Sequence, residues 1–432
     1  MCSPGRWAAV VAFVCAAPSA RALAADCEVS RYSPADQGRD AAVLEAGTLA
    51  ANGRYADARA VYLWVLARRR DDAEALFGLA RVDAWGGCWA IAEREYREVI
   101  SEHPADSDVR AGYVDLLVWS GRLDEAEQVL RDGLAVDPAS PGLVARAARF
   151  AFWRGDATQA VRLADEAERA APDDGDLRAM RDRMFVGEAR ATVHVDDYPS
   201  GYTSLYTIST QVLERRGRFE VYGGAQLVGG PAQDGRYPLG VAYHPALGMT
   251  VGAEVAPGAP SHAIPDWSFK TWMLSPLAGR FDAFLAYSLW HYSHENELVQ
   301  ILNPSIGVAL PRELRADVRG WISAVTVPGD QAAAGQTRVE GAAGAQLTWS
   351  ATPRLDAAVT YTYGAEADTY GAGGAGAILV YQFLEYRSHL ATAFVDLLLG
   401  RGGGIRPLVG VEYRMPAAIT IWSFEVSAYG RW

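Results

Sequence analysis

Two periodicities run along the chain, and they change over near Ala189. Before it, apolar residues recur with helical spacing, as in "EAEQVLRDGL" (Glu125–Leu134). After it, apolar and polar residues alternate. In "ELRADVRGWISAVTV" (Glu313–Val327) the even positions carry Leu314, Ala316, Val318, Ile322 and Ala324. The odd positions carry Glu313, Arg315, Asp317, Arg319 and Ser323. "QTRVEGAAGAQLTWS" (Gln336–Ser350) and "RLDAAVTYTY" (Arg354–Tyr363) alternate in the same way. The pattern predicts helices first and two-faced strands afterwards.

The helical half repeats. "DAWGGCWAIAEREYREVISEHP" from Asp83, "LVWSGRLDEAEQVLRDGLAVDP" from Leu117 and "AFWRGDATQAVRLADEAERAAP" from Ala151 start 34 residues apart. Gly53, Gly87, Gly121 and Gly155 keep that period, as do Ala58, Ala92, Ala126 and Ala160. A glycine at each position suits a turn between antiparallel helices, where positive φ is needed. The alanine allows close helix crossing, and Pro104, Pro138 and Pro172 end the units. A 34-residue period is the mark of a tetratricopeptide (TPR) array, here expected over residues 39–188 as four repeats and a capping helix. The first copy departs from the pattern, with Ala51 in place of Trp and Arg70 in place of Pro.

The alternating half, residues 189–432, fits either an antiparallel transmembrane β-barrel or a soluble β-sandwich. Three features favour the barrel. Short turns, such as "RRG" (Arg215–Gly217) and "TP" (Thr352–Pro353), interleave with longer links such as "GAEADTYGAGGAGA". Tyr and Trp gather near strand ends, as interfacial girdles require. The last strand, "FEVSAYGRW", places Phe424, Val426 and Trp432 on one face. Up-and-down parity gives about fourteen strands, with twelve as the second choice. Fourteen requires one long traverse from Ile378 to Leu398 and a turn at Arg401–Gly404. The resulting fold class is α + β multidomain.

Composition adds a compartment. Residues 1–24 read as a secretory signal, with Arg6, an apolar run from Trp7 to Ala17, and Ala22-Leu23-Ala24 before the cleavage point. Residues 25–38 form a short N-terminal segment. The formal charge of −12 includes Arg6 and Arg21, so cleavage leaves about −14. An acidic exported chain without a basic patch argues against nucleic acid as a partner. Cleavage also leaves Cys27 and Cys88, either bridged or as separate thiols.

A signal, a short TPR array and a C-terminal barrel together resemble the YaiO-type outer-membrane β-barrel family. The wording "ARVDAWGG" and "LLVWSGRLDEAE" is similar to the repeats preceding such barrels, and "FDAFLAYSLWHYSHENELVQILNPSIGVALPRELRADVRGWIS" (Phe281–Ser323) is similar to the barrel core. The resemblance implies outer-membrane residence, with lipid and the outer-membrane assembly machinery as partners, and carries no catalytic signature. In that setting Trp432 is the expected assembly signal. A looser likeness links the chain to larger exporters of cellulose and poly-N-acetylglucosamine.

Two constellations are candidates for function. Trp85, Trp119 and Trp153 recur at the 34-residue period, each four residues after Arg81, Asp115 or Arg149. That spacing puts each pair on one helix face, where it either packs between helices or lines a groove for a periplasmic protein or polysaccharide. Inward strand positions gather mixed charges: Asp282, Arg315, Asp317, Arg319, Arg338, Glu340, Arg354 and Asp356, with Glu220, Glu412 and Glu425. Such charges form either a salt-bridged plug or a narrow polar pore. "HYSHE" (His291–Glu295) is read as a solvated loop, and Asp196-Asp197 as turn chemistry. No nucleophile motif, phosphate loop or metal-binding helix occurs, so no cofactor and no enzymatic activity is expected. The expected role is structural or transport work linked to envelope or exopolysaccharide export. A soluble periplasmic binding protein with a sandwich half is the alternative.

Overall fold

The computed structural model describes residues 30, 32–34, 37–199, 203–229, 233–259, 264–277, 280–293, 297–310, 313–326, 337–365, 387–415 and 418–432, excluding the side chains of Glu297 and Arg338. They fall into two compact units, Met1–Pro138 and Ala139–Trp432.

The first unit holds three helical hairpins: α1 (Arg39–Ala51) with α2 (Tyr55–Leu66), α3 (Ala73–Trp85) with α4 (Trp89–Glu102), and α5 (Ser107–Trp119) with α6 (Leu123–Val136). The periodic glycines sit in the turns with positive φ: +72° at Gly53, +84° at Gly87 and +76° at Gly121. The periodic alanines Ala58, Ala92 and Ala126 have no exposed surface. Trp85 and Trp119 are the last residues of their helices, which explains their place just ahead of the glycine turn. A further 34-residue period concerns the residue before each first helix. Asp72 accepts the Ala75 N–H at 3.1 Å, and Asp106 accepts those of Asp108 and Val109. Gly38, the equivalent in the first repeat, has no side chain to do so. Cys88, at the start of α4, is in a disulfide whose partner lies outside the described residues.

This unit also buries charge. Asp83 on α3 is almost fully buried against the Arg59 guanidinium at 2.8 Å. Burial, and then the neighbouring Asp83 carboxylate, push Glu95 up to about 8. An acid raised in the folded state is neutral there while its unfolded counterpart ionises, so folding weakens as pH rises between about 4.5 and 8. Glu95→Gln is therefore expected to stabilise the helical unit at pH 7.5 and flatten its pH dependence over that window. Thermal melts followed by circular dichroism at pH 5.5 and 7.5 check this. A variant with an unchanged slope contradicts it.

The second unit contains the fourth repeat, α7 (Pro141–Trp153) with α8 (Ala157–Ala170), the short α9 (Gly175–Asp182), and the strands. Sequence periodicity groups this repeat with the other three, yet its contacts are with the barrel. The ring of His244 lies against Gly155, which is in its turn conformation at φ +84°. The Gly248 N–H reaches the Trp153 carbonyl at 3.4 Å. Arg354 and Arg401 both engage Asp182, and Arg401 also pairs with Glu168.

The strands are β1 (Gly187–Asp197), β2 (Leu205–Arg216), β3 (Phe219–Gly229), β4 (Gln233–Arg236 and Leu239–Tyr243), β5 (Thr250–Pro257), β6 (Trp267–Pro276) and β7 (Phe281–Tyr292). They continue as β8 (Glu297–Leu310), β9 (Leu314–Thr326), β10 (Thr337–Thr352), β11 (Leu355–Gly364), β12 (Arg387–Leu398), β13 (Gly403–Met415) and β14 (Ile419–Arg431). Each pairs antiparallel with the next, and β14 pairs back onto β1, closing a fourteen-stranded barrel. The fourth strand is broken at Tyr237-Pro238 because proline has no N–H for the ladder. The Pro238 carbonyl still accepts from Gly224 at 2.9 Å, so the wall stays continuous.

The fourteen-strand count agrees with the parity reading, and the Gly400–Gly403 bend is where the turn was expected. Residues 378–386 of the predicted long traverse lie outside the described residues; β12 begins at Arg387. Both ends of the chain's barrel portion, Gly187 and Trp432, meet at one rim. There Trp432 and Gly187 pair through their main chains at 3.0 and 3.1 Å.

Candidate functional site

Alternation sorts every strand into two faces. On β14, Ile421, Ser423, Glu425, Ser427 and Tyr429 are buried in the lumen, whereas Trp422, Phe424 and Val426 are exposed. The outer face is apolar all the way round, with Val193, Ile208, Leu227, Val255, Ile306 and Val359 among its exposed residues. Exposed aromatics mark its two edges. Tyr206, Trp267, Tyr361, Tyr413 and Trp422 lie toward the rim far from the chain ends; Phe219, Phe281, Trp349 and Trp432 lie toward the other. Trp432 is 57% exposed, and its indole covers Gly187, where a Cβ would meet the ring.

The lumen holds ionic networks and a cavity. Arg315 on β9 bridges Asp282 on β7 at 2.6 Å and Asp317 on its own strand at 2.7 Å. Arg319 lines the same cavity. These four sequence candidates therefore share one region. Glu340 also faces inward, opposite Ser323. The Arg338 side chain is outside the described residues.

Three expectations are corrected or refined. Arg354 does not line the lumen: it lies in the turn before β11, half exposed, and pairs with Asp182 of α9. Strand alternation extended by one residue cannot tell a turn position from a wall position. Asp356 is inward but at the rim, where it meets Arg183 at 3.3 Å. Asp196 is likewise no loop residue: it lies within β1, one residue before its end, accepting from Ser423 Oγ at 2.6 Å and facing His194 Nε2 at 3.0 Å. Glu425 lies beside the same His194 ring at 3.4 Å.

Other lumen groups went unread in the sequence because their partners depend on strand register. Tyr222 donates to Glu254 at 2.9 Å, and Arg236 reaches the same carboxylate at 3.3 Å. Tyr429 donates to Asp396 at 2.7 Å, beside Arg406. At the rim bearing the chain ends, the Phe185 ring is flanked by the guanidinium groups of Arg215 and Arg431 at 4.3 and 4.4 Å. The Phe152 ring of α7 stands edge-on to Phe185 at 6.1 Å. The cavity, about 570 Å³, is bounded by Arg236, Glu254, Lys270, Asp282, Arg315 and Arg319, with Trp290 and Trp321 behind them. Lys270 is the single lysine of the sequence, a signal present in the composition alone.

The repeated tryptophans divide into two kinds. Arg81 stacks over Trp85 at 4.9 Å, and Trp85 packs 6.0 Å from Tyr55 at the edge of the first core. Arg149 stacks over Trp153 at 5.3 Å, with Phe150 at 5.5 Å. In both, the arginine four residues earlier reaches the ring, as helical spacing dictates. Trp119, preceded by Asp115 instead of arginine, is 38% exposed. His291 of "HYSHE" stacks on Trp267 at 5.3 Å, while His294 and Glu295 lie outside the described residues. Among the described residues no group of three or more His, Cys, Asp or Glu could hold a metal ion.

Residues 89–141 match the tetratricopeptide-repeat family. No curated protein matches the sequence. Among solved structures, a thermophilic TPR protein of Thermus thermophilus is 20% identical, covering 34% of this chain and 80% of its own, with a TM-score of 0.31. A bacterial polysaccharide outer membrane secretin is 10% identical, covering 57% of this chain and 99% of its own, with a TM-score of 0.40. The toluene transporter TbuX of Ralstonia pickettii is 12% identical, covering 61% of this chain and 93% of its own, with a TM-score of 0.38.

Proposed function

We propose that the chain is an outer-membrane β-barrel protein whose TPR array lies in the periplasm. There the array recruits a partner protein or guides a polysaccharide, as a non-enzymatic component of envelope or exopolysaccharide export. The observation that carries this reading is the continuous apolar exterior of a closed barrel, edged by two aromatic girdles. A water-soluble monomer rarely exposes apolar surface on that scale, and a lipid-facing wall requires it. An even strand number returns the chain to the rim where it entered, so α9, just ahead of β1, shares a rim with Trp432. The 34-residue repeat supports a scaffolding role for that side. The YaiO-type resemblance agrees with this organisation.

The test is behaviour in the envelope. The protein is expected to fractionate with outer membranes, to need detergent for extraction, and to migrate faster on SDS gels unheated than boiled. Release into the soluble periplasm without detergent, with no heat-dependent shift, contradicts the proposal.

A further inference from the structure

We propose that the lumen cavity binds a small anionic solute, one carrying a carboxylate or phosphate, through Lys270 and Arg319. The proposal rests on the reading of the lumen as the interior of a membrane barrel, and it concerns the charge balance of the cavity wall. Among the described residues, five basic and three acidic side chains line the cavity. The acids are already satisfied. Glu254 takes Tyr222 and Arg236, while Asp282 and Asp317 share Arg315. Arg190 is held by Glu188 at 2.9 Å.

Lys270 makes no ion pair among the described residues, although it lies inward on β6 between Glu254 and Ser288 in register. Arg319 adds a second positive charge on the same cavity, between Ser305 and Gly344. This local excess of positive charge stands in a chain of formal charge −12. A bound anion would offset the positive charge that Lys270 and Arg319 bring to this part of the wall. The volume, about 570 Å³, is in the range that encloses a sugar-sized ligand. Neutral groups on the wall, Asn303 and Gln346 among them, supply hydrogen bonds for the rest of such a molecule.

The single lysine makes the test specific. Full-length protein in detergent is acetylated with an uncharged N-hydroxysuccinimide ester, and modification of Lys270 is followed by mass spectrometry, with the N-terminal amine as internal reference. Glucuronate and inorganic phosphate are each expected to slow Lys270 acetylation several-fold, while glucose leaves it unchanged. Arg319→Gln is expected to weaken that protection. As a second readout, glucuronate is expected to raise the thermal midpoint of the natural protein but not that of Lys270→Gln. Protection by glucose equal to that by glucuronate, absence of protection by both anions, or a Lys270 that never reacts overturns the proposal. If the barrel still shows its heat-dependent gel shift in that case, the anion site fails while the membrane reading stands.

Discussion

Replacing Phe424 with arginine is expected to destabilise the barrel by about 2–4 kcal/mol, the cost of a guanidinium near the middle of a lipid-facing wall. Phe424 sits in mid-β14, half exposed, with Val195 and Val409 beside it in register. Its immediate neighbours, Ser423 and Glu425, point the other way and are buried among polar partners. Arginine at Ser209, on the cavity wall, should therefore cost far less. Unfolding in guanidinium from lipid vesicles distinguishes the two. Equal costs at Phe424 and Ser209 would mean that the exposed face does not meet lipid.

Leu117→Ala is expected to cost the helical unit about 2–5 kcal/mol, the range for emptying a packed leucine site. Leu117 has no exposed surface, whereas Trp119, two residues on, is 38% exposed. Trp119→Ala should cost less than Leu117→Ala, since more than a third of the indole already faces solvent. Thermal or urea unfolding of the helical signal measures both. A large loss at Trp119 would assign the third-repeat tryptophan to the core and remove it as a candidate contact for a partner.

The unequal roles of the three tryptophans show where sequence reasoning reaches and where it ends. A fixed period brings Trp85, Trp119 and Trp153 to the same point of each repeat, the last residue of the first helix. What each ring touches depends on a residue that does not repeat: arginine at 81 and 149, aspartate at 115. The glycine turns were legible because positive φ narrows the choice of residue so strongly. The caps at Asp72, Asp106, Ser140 and Asp174 keep the same spacing, yet went unread because the first repeat breaks the series with Gly38.

In the barrel, alternation sorts faces but is blind to register. It placed Asp282, Arg315, Asp317 and Arg319 inward without indicating that one arginine would hold two aspartates from neighbouring regions of the wall. It also carried Arg354 one step too far, into a turn whose contact is with α9. The grouping of the fourth repeat with the barrel was beyond reach for the same reason. Its contacts, from His244 to Arg401, join positions far apart in the chain.

The central claim, a membrane barrel with its helices on the inner side, is tested most directly by labelling whole cells. A cysteine at Ser293, beyond the far end of β7, and another at Arg216, at the rim of the chain ends, are each exposed to a membrane-impermeant maleimide. The account predicts that Ser293→Cys reacts in intact cells and that Arg216→Cys reacts only after the outer membrane is ruptured. Labelling of Arg216→Cys in intact cells, with Ser293→Cys protected, would contradict it.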